Sequence, residues 1–161
     1  MAEKTLDEAQ GSLLPFVLHL QYLKDLSLEN PTPLLHLTDG QDVKPEISIN
    51  VQVNARHLTE RMFEVILEIN ADAKRGDSKM FICQVQYAGL VALQENLEED
   101  RVRTILLEDV PALLFPFARN VVADATRETG LPPLLLQPVD FAALNTAQKE
   151  KNEEQSSGQI H

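Results

Sequence analysis

A chain of 161 residues, 43% hydrophobic and 24% charged, has the size and balance of one globular domain rather than of a disordered polymer. Its 25 acidic against 14 basic side chains give a formal net charge of -11. That excludes nucleic acid as a natural partner, because such binding needs Lys and Arg on phosphates, and it disfavours anionic membrane surfaces.

The opening residues, Met1 to Ser12, carry acids, glutamine and glycine without a basic stretch leading into an apolar run, so no signal peptide is expected. No apolar run approaches the ~18 residues that span a bilayer, so no direct membrane insertion is expected. The single cysteine, Cys83, forbids an intrachain disulfide and points to a reducing, cytoplasmic setting. Composition divides the chain into a disordered N-terminus (1–12), one domain (13–146) and a flexible polar C-terminal tail (147–161).

The first half alternates like strands. From Phe16 the row Phe16, Leu18, Leu20, Tyr22, Leu26 and Leu28 is apolar, interrupted only by Lys24, and the opposite row holds His19, Gln21, Asp25, Ser27 and Glu29. A long proline-marked connection from Asn30 to Pro45 carries Leu34, Leu35, Leu37 and Val43. The second strand sets Ile47, Ile49, Val51 and Val53 against polar neighbours, and the third sets Phe63, Val65, Leu67, Ile69 and Ala71 against Glu64, Ile66, Glu68, Asn70 and Asp72. Arg75-Gly76-Asp77 supplies a turn into a fourth strand, where Phe81, Cys83, Val85 and Tyr87 oppose Met80, Ile82, Gln84 and Gln86. Two short connections and one long one predict a four-stranded antiparallel sheet with a crossover connection.

The second half reads as helix. Acids at Glu98 to Asp100 suit a helix N-terminus, and Val102, Ile105, Leu106, Val110 and Leu113 follow at helical spacing. Pro111 and Pro116 are expected to break, kink or restart it. The stripe Ala118, Val121, Val122 and Ala125 continues towards Gly130, a C-terminal cap position with Pro132 and Pro133 beyond it. Asp140 caps a shorter helix beginning at Phe141. The fold class is α+β, a sheet followed by one long and one shorter helix.

Chemistry-bearing motifs are scarce. The four histidines have no ligand-like spacing, and no HExxH, CxxC, Gly-rich phosphate loop or GxSxG occurs, so no metal, nucleotide or other cofactor and no catalytic residue is expected. Cys83 reads as a small buried hydrophobe. Glu64 and Glu68 share a strand face, where solvated polar positions outweigh acid–base work. For Leu34, Leu35, Leu37 and Val43 two readings stay open: core beneath a long loop, or walls of an apolar groove. The outward sheet face gathers Asp25, Glu29, Glu64, Glu68 and Asp72 with Ile82 among them, which is either a solvated face or a docking surface.

The stretches from Gln21 to Pro31, Leu114 to Arg119 and Leu136 to Leu144, with the strand around Phe81-Ile82-Cys83-Gln84-Val85, resemble the SecB export-chaperone family, and the likeness covers roughly residues 14 to 146. The resemblance implies a homotetramer, a dimer of dimers with long helices between the sheets, in which the counterparts of Cys83, Val85 and Tyr87 face the packing interface. It implies binding of unfolded secretory preproteins and of the SecA translocation motor. Asp25 and Glu29 match acidic SecA contacts, and Ile82 matches an apolar one. Gln84 stands where relatives usually carry glutamate, and Val43-Lys44-Pro45 lacks the tryptophan that several relatives place there. With the apolar pattern, the resemblance outlines a client groove of Leu34, Leu35, Leu37, Val43, Ile47, Ile49, Phe141 and Leu144. The implied function is holding clients translocation-competent without ATP. The alternatives are a SecB-like chaperone dedicated to another client such as an antitoxin and, from another class, a small-ligand or hydrolytic domain using Glu64 and Glu68.

Overall fold

A computed structural model describes residues 14–38 and 43–158; the expected loose N-terminus, residues 1–12, lies outside them. Strand β1 (Phe16–Glu29) leads through a short helical turn, α1 (Leu35–Thr38), to β2 (Glu46–Thr59), β3 (Met62–Arg75) and β4 (Ser78–Leu93). The four strands form one antiparallel sheet in the order β1-β4-β3-β2, so the β1–β2 connection must cross the ends of β4 and β3. Thr32 marks that path by donating its hydroxyl to the Lys79 carbonyl at 2.6 Å, beside the β3–β4 hairpin. Gly76 turns this hairpin with φ of 59°, in the left-handed region where glycine carries no Cβ penalty.

The helical half begins with α2 (Glu99–Thr104) and passes through a wide π-type turn (Ile105–Asp109) into α3 (Val110–Arg127). The expected break at Pro111 is instead this turn. The pyrrolidine has no N–H and crowds the carbonyl four residues back, and the wider register absorbs both, with the Val110 N–H reaching Ile105. Pro116 is carried inside α3 without ending it. Gly130, at φ of 86°, closes the helix as the sequence predicts. The extended chain that follows is tied back by Thr126, whose hydroxyl accepts from the Leu134 N–H at 2.9 Å and donates to the Val122 carbonyl at 2.8 Å.

Asp140 caps α4 (Phe141–Ser157) through a hydrogen bond from the Ala143 N–H at 3.0 Å. This helix runs through most of the segment expected to be a flexible tail (147–161). Its Ala, Gln, Lys and Glu residues are strong helix formers, and propensity outweighs the lack of an apolar stripe. Residues 159–161 lie outside the described residues.

The core lies between the sheet and α3. On the inner face Leu67 pairs with Tyr87, Ile69 with Val85 and Ala71 with Cys83, and all six are buried. From the helix, Val110, Leu114, Ala118 and Val122 are fully buried against them. The approach is close at Gly89, where an added Cβ would stand 3.0 Å from a Leu18 methyl and 3.2 Å from a Leu114 methyl.

Candidate docking face and client surface

Strand β1 does not alternate simply. Leu18 pairs with Val91 but Leu20 with Leu90, and Leu23 pairs with Tyr87 but Asp25 with Gln86, so β1 carries extra residues at His19 and Lys24. Each bulge shifts the pleat by one residue, and between them the two faces are exchanged. Leu20 and Tyr22, expected in the core row, therefore stand on the outer face, while Gln21 and Leu23 turn to the helix side. Gln21 accordingly hydrogen-bonds the Tyr87 hydroxyl at 3.3 Å. The Lys24 bulge restores the original phase.

Beyond that bulge the outer face assembles in rows. Asp25 lies across from Gln86, Ser27 from Gln84, and Glu29 from Ile82. The rows continue over β3, with Glu68 beside Gln86, Asn70 beside Gln84 and Asp72 beside Ile82. Asp25, Glu29, Ile82 and Gln84 thus share one face. Among the described residues no cation forms an ion pair with Asp25 or Glu29. A shallow depression of about 230 Å³, lined by Ser48, Asn50, Asn70, Asp72, Ile82 and Gln84 among others, opens beside them.

Glu64 departs from expectation. It is not a solvated position but 3% exposed. Lys24 reaches it at 2.8 Å, Arg56 at 3.0 Å, and the Tyr22 hydroxyl donates to its other oxygen. The Lys24 and Tyr22 hydrogen bonds outweigh burial and hold its carboxyl below the ordinary glutamate value of 4.5. The phenol of Tyr22 is pushed from 10.0 to about 12, first by burial and then by Glu64.

Glu64 therefore contributes stability that is complete above its unfolded pKa and is lost as pH falls through its lower folded one. Urea unfolding from pH 7 downward should show Glu64→Gln losing less stability than the native chain below pH 4.5; identical acid slopes would dismiss this charged hub.

Of the expected client residues, Leu34 and Leu37 are 74% and 85% exposed, and Leu35, Val43, Ile47 and Ile49 are also exposed. Ile47 and Ile49 point to the helix side, opposite Ala73 and Ala71, yet are 46% exposed, whereas Val53 farther along β2 is buried. Phe141 requires a correction. It is 5% exposed and packs edge-to-face on Phe115, ring centres 6.0 Å apart, so it anchors α4 rather than walling an open groove. Leu144 is half-buried. Sequence reasoning missed a cleft of about 670 Å³ where Val53 and Ala55 of β2 face Leu106, Leu107 and Arg103 and the Lys151 side of α4. Its walls come from three distant segments, so no local signal marks it.

Cys83 and Val85 are fully buried and Tyr87 nearly so, within one protomer. Tyr87 is covered from α3 by Phe117, which stacks on it with ring centres 6.2 Å apart. Burial raises the Cys83 thiol pKa, which keeps it protonated and unreactive.

The family model described as preprotein translocase subunit SecB matches residues 9–152. The chain belongs to the SecB family. The protein-export protein SecB of Maricaulis maris is 50% identical over 131 residues, 81% of this chain and 75% of that relative. That of Rhodospirillum centenum is 44% identical over 137 residues, 85% of this chain and 81% of the relative. That of Afipia carboxidovorans is 39% identical over 160 residues, 97% and 98% of the two chains. Among solved structures, a SecB-like chaperone of Mycobacterium tuberculosis in complex with an antitoxin peptide superimposes with a TM-score of 0.57. It covers 86% of this chain and 100% of that one at 16% identity, a likeness of fold alone.

Membership of the SecB family makes the chain a protein-export chaperone, and chaperones are not an enzyme class. Among the described residues no helix is long and apolar enough to cross a membrane, and no group of three or more His, Cys, Asp or Glu is placed to hold a metal ion.

Proposed function

We propose that this SecB chain holds unfolded preproteins in the cytoplasm as a homotetramer, without ATP, and passes them to SecA from the outer face of its sheet. One observation carries the reading: the crossover and the helix side of β2 offer uncovered apolar side chains, while Asp25 and Glu29 on the outer sheet face form no ion pair among the described residues. Leu34, Leu35, Leu37, Val43, Ile47 and Ile49 bind exposed apolar stretches of a client by burial, which asks for no particular sequence. Several weak contacts along one chain, repeated on neighbouring subunits, add up through avidity. Asp25, Glu29, Ile82 and Gln84 form the SecA contact. Gln84 in place of the family's usual glutamate leaves that contact one charge weaker, so Asp25 and Glu29 carry most of its electrostatic part.

Assembly is supported by α3, which leaves Leu113 and Phe117 half-exposed, Phe117 beside the Tyr87 ring on which it stacks. The hydrolytic alternative is disfavoured because Glu64 is held ionised, the opposite of what a general acid at neutral pH needs.

Purified protein is expected to suppress aggregation of a diluted, denatured preprotein in the absence of nucleotide, and failure with several clients would sink the holding function. Asp25→Lys reverses the charge at the β1 edge of the acidic rows. It should weaken SecA binding about tenfold or more at low salt, and less at high salt, while leaving client holding intact. Equal loss of both activities would place the damage in the fold instead.

A further inference from the structure

The Lys24 bulge has an electrostatic consequence for the docking face. A bulge sets two neighbouring residues opposite one partner, here Lys24 and Asp25 opposite Gln86. Both project outward: Asp25 by its pairing, and Lys24 because its ammonium ends on Glu64. A lysine beside an exposed aspartate on one face is placed to pair with it and cancel its charge. It does not do so, because Glu64 draws the ammonium back to 2.8 Å, away from the Asp25 row. Arg56 is held on the same oxygen at 3.0 Å, so one buried carboxylate occupies the cations of two strands.

The geometry points to Glu64 as a positioning residue for docking, one that sequesters Lys24 and so keeps Asp25 free to meet a cationic partner. This rests on the reading of Asp25 as a SecA contact. Glu64 itself is buried and touches no partner. Its carboxylate acts only by fixing where the Lys24 charge sits.

The test combines Glu64→Gln with Lys24→Met in the full-length protein. Glutamine keeps an acceptor for Tyr22 but surrenders the charge, so Lys24 is released onto Asp25 and SecA binding weakens about fivefold at low salt. Adding Lys24→Met removes the freed cation and restores binding to the native level, whereas a merely structural role for Glu64 would leave the double variant at least as weak as the single one. A double variant that stays weak, or a Glu64→Gln protein that binds as tightly as the native chain, overturns the proposal. A crystal structure of Glu64→Gln decides it independently of SecA: the Lys24 ammonium on Asp25 supports sequestration, and an ammonium elsewhere overturns it. If the native protein itself fails to bind SecA, the docking reading falls, and that crystal structure still decides where the Lys24 charge goes.

Discussion

Glutamate at both Leu113 and Phe117 is expected to take the proposed homotetramer apart, lowering the mass measured by light scattering from four subunits to two or one. Both side chains sit on α3 yet remain 45% and 49% exposed, on a helix whose other face is sealed against the sheet. Two large apolar groups on an otherwise well-packed helix are what a second subunit covers in an interface. Burying a carboxylate there without a partner costs several kcal/mol per site, enough to defeat an interface of ordinary size. The protomer should survive, because both side chains lie outside the buried core and only the Phe117–Tyr87 stacking is given up, and far-ultraviolet circular dichroism should stay native-like. An unchanged mass would refute the placement of the interface on α3. Loss of secondary structure would instead mean that the protomer cannot stand without its neighbours. Cys83 and Val85 make a useful contrast. They are fully buried within the protomer, so substitutions there destabilise it whatever they do to the proposed assembly.

How much of this was legible depends on how local each signal is. Strands β2, β3 and β4 keep their alternation through the middle of the sheet, with register shifts near their ends at His57–Thr59 and Ala73–Lys74, and the inner row from Val65 to Ala73 is buried as the pattern requires. The Gly76 turn and the Gly130 cap were readable because both need the left-handed backbone that glycine supplies. Strand β1 was half legible. The period-two row hid two bulges, and only Lys24 breaking the apolar row betrayed one of them. The acid pair Asp25 and Glu29 was still placed on the correct face because the second bulge undoes the first. The Glu64 hub had no such chance, since Lys24 and Tyr22 stand 40 and 42 residues away in sequence. The π-type turn depends on how one proline ring meets the preceding carbonyls, and α4 owes its length to propensity rather than to an apolar stripe. Phe141 was misread for a related reason. A large apolar residue at a helix start fits both a groove wall and an anchor, and only the distance to Phe115 separates the two.

Serine at Leu34, Leu37 and Ile47 together is expected to abolish most client capture while leaving assembly and SecA binding in place. These three are exposed in the protomer, so removing them leaves no cavity in the core and exacts little from folding. Each large apolar side chain half-covered by a client contributes about 1 kcal/mol, so losing three weakens each protomer's hold on the order of a hundredfold. A client that spans several subunits loses the same increment at each one, so the decline should steepen with client length. The measurement is the concentration needed to halve aggregation of a denatured preprotein, compared with a short apolar peptide that reaches one subunit only. A triple variant that protects the long client as well as the native protein does would remove the crossover and β2 strip from the client surface. In that case the cleft between β2 and α4 becomes the place to look. A deficit that is equal for long and short clients would keep the strip but dismiss avidity, because only a chain bridging subunits multiplies the loss. Phe141→Ala serves as the control. It opens the α3–α4 contact and lowers stability by about 3 kcal/mol, so its effect on clients should follow unfolding rather than surface area.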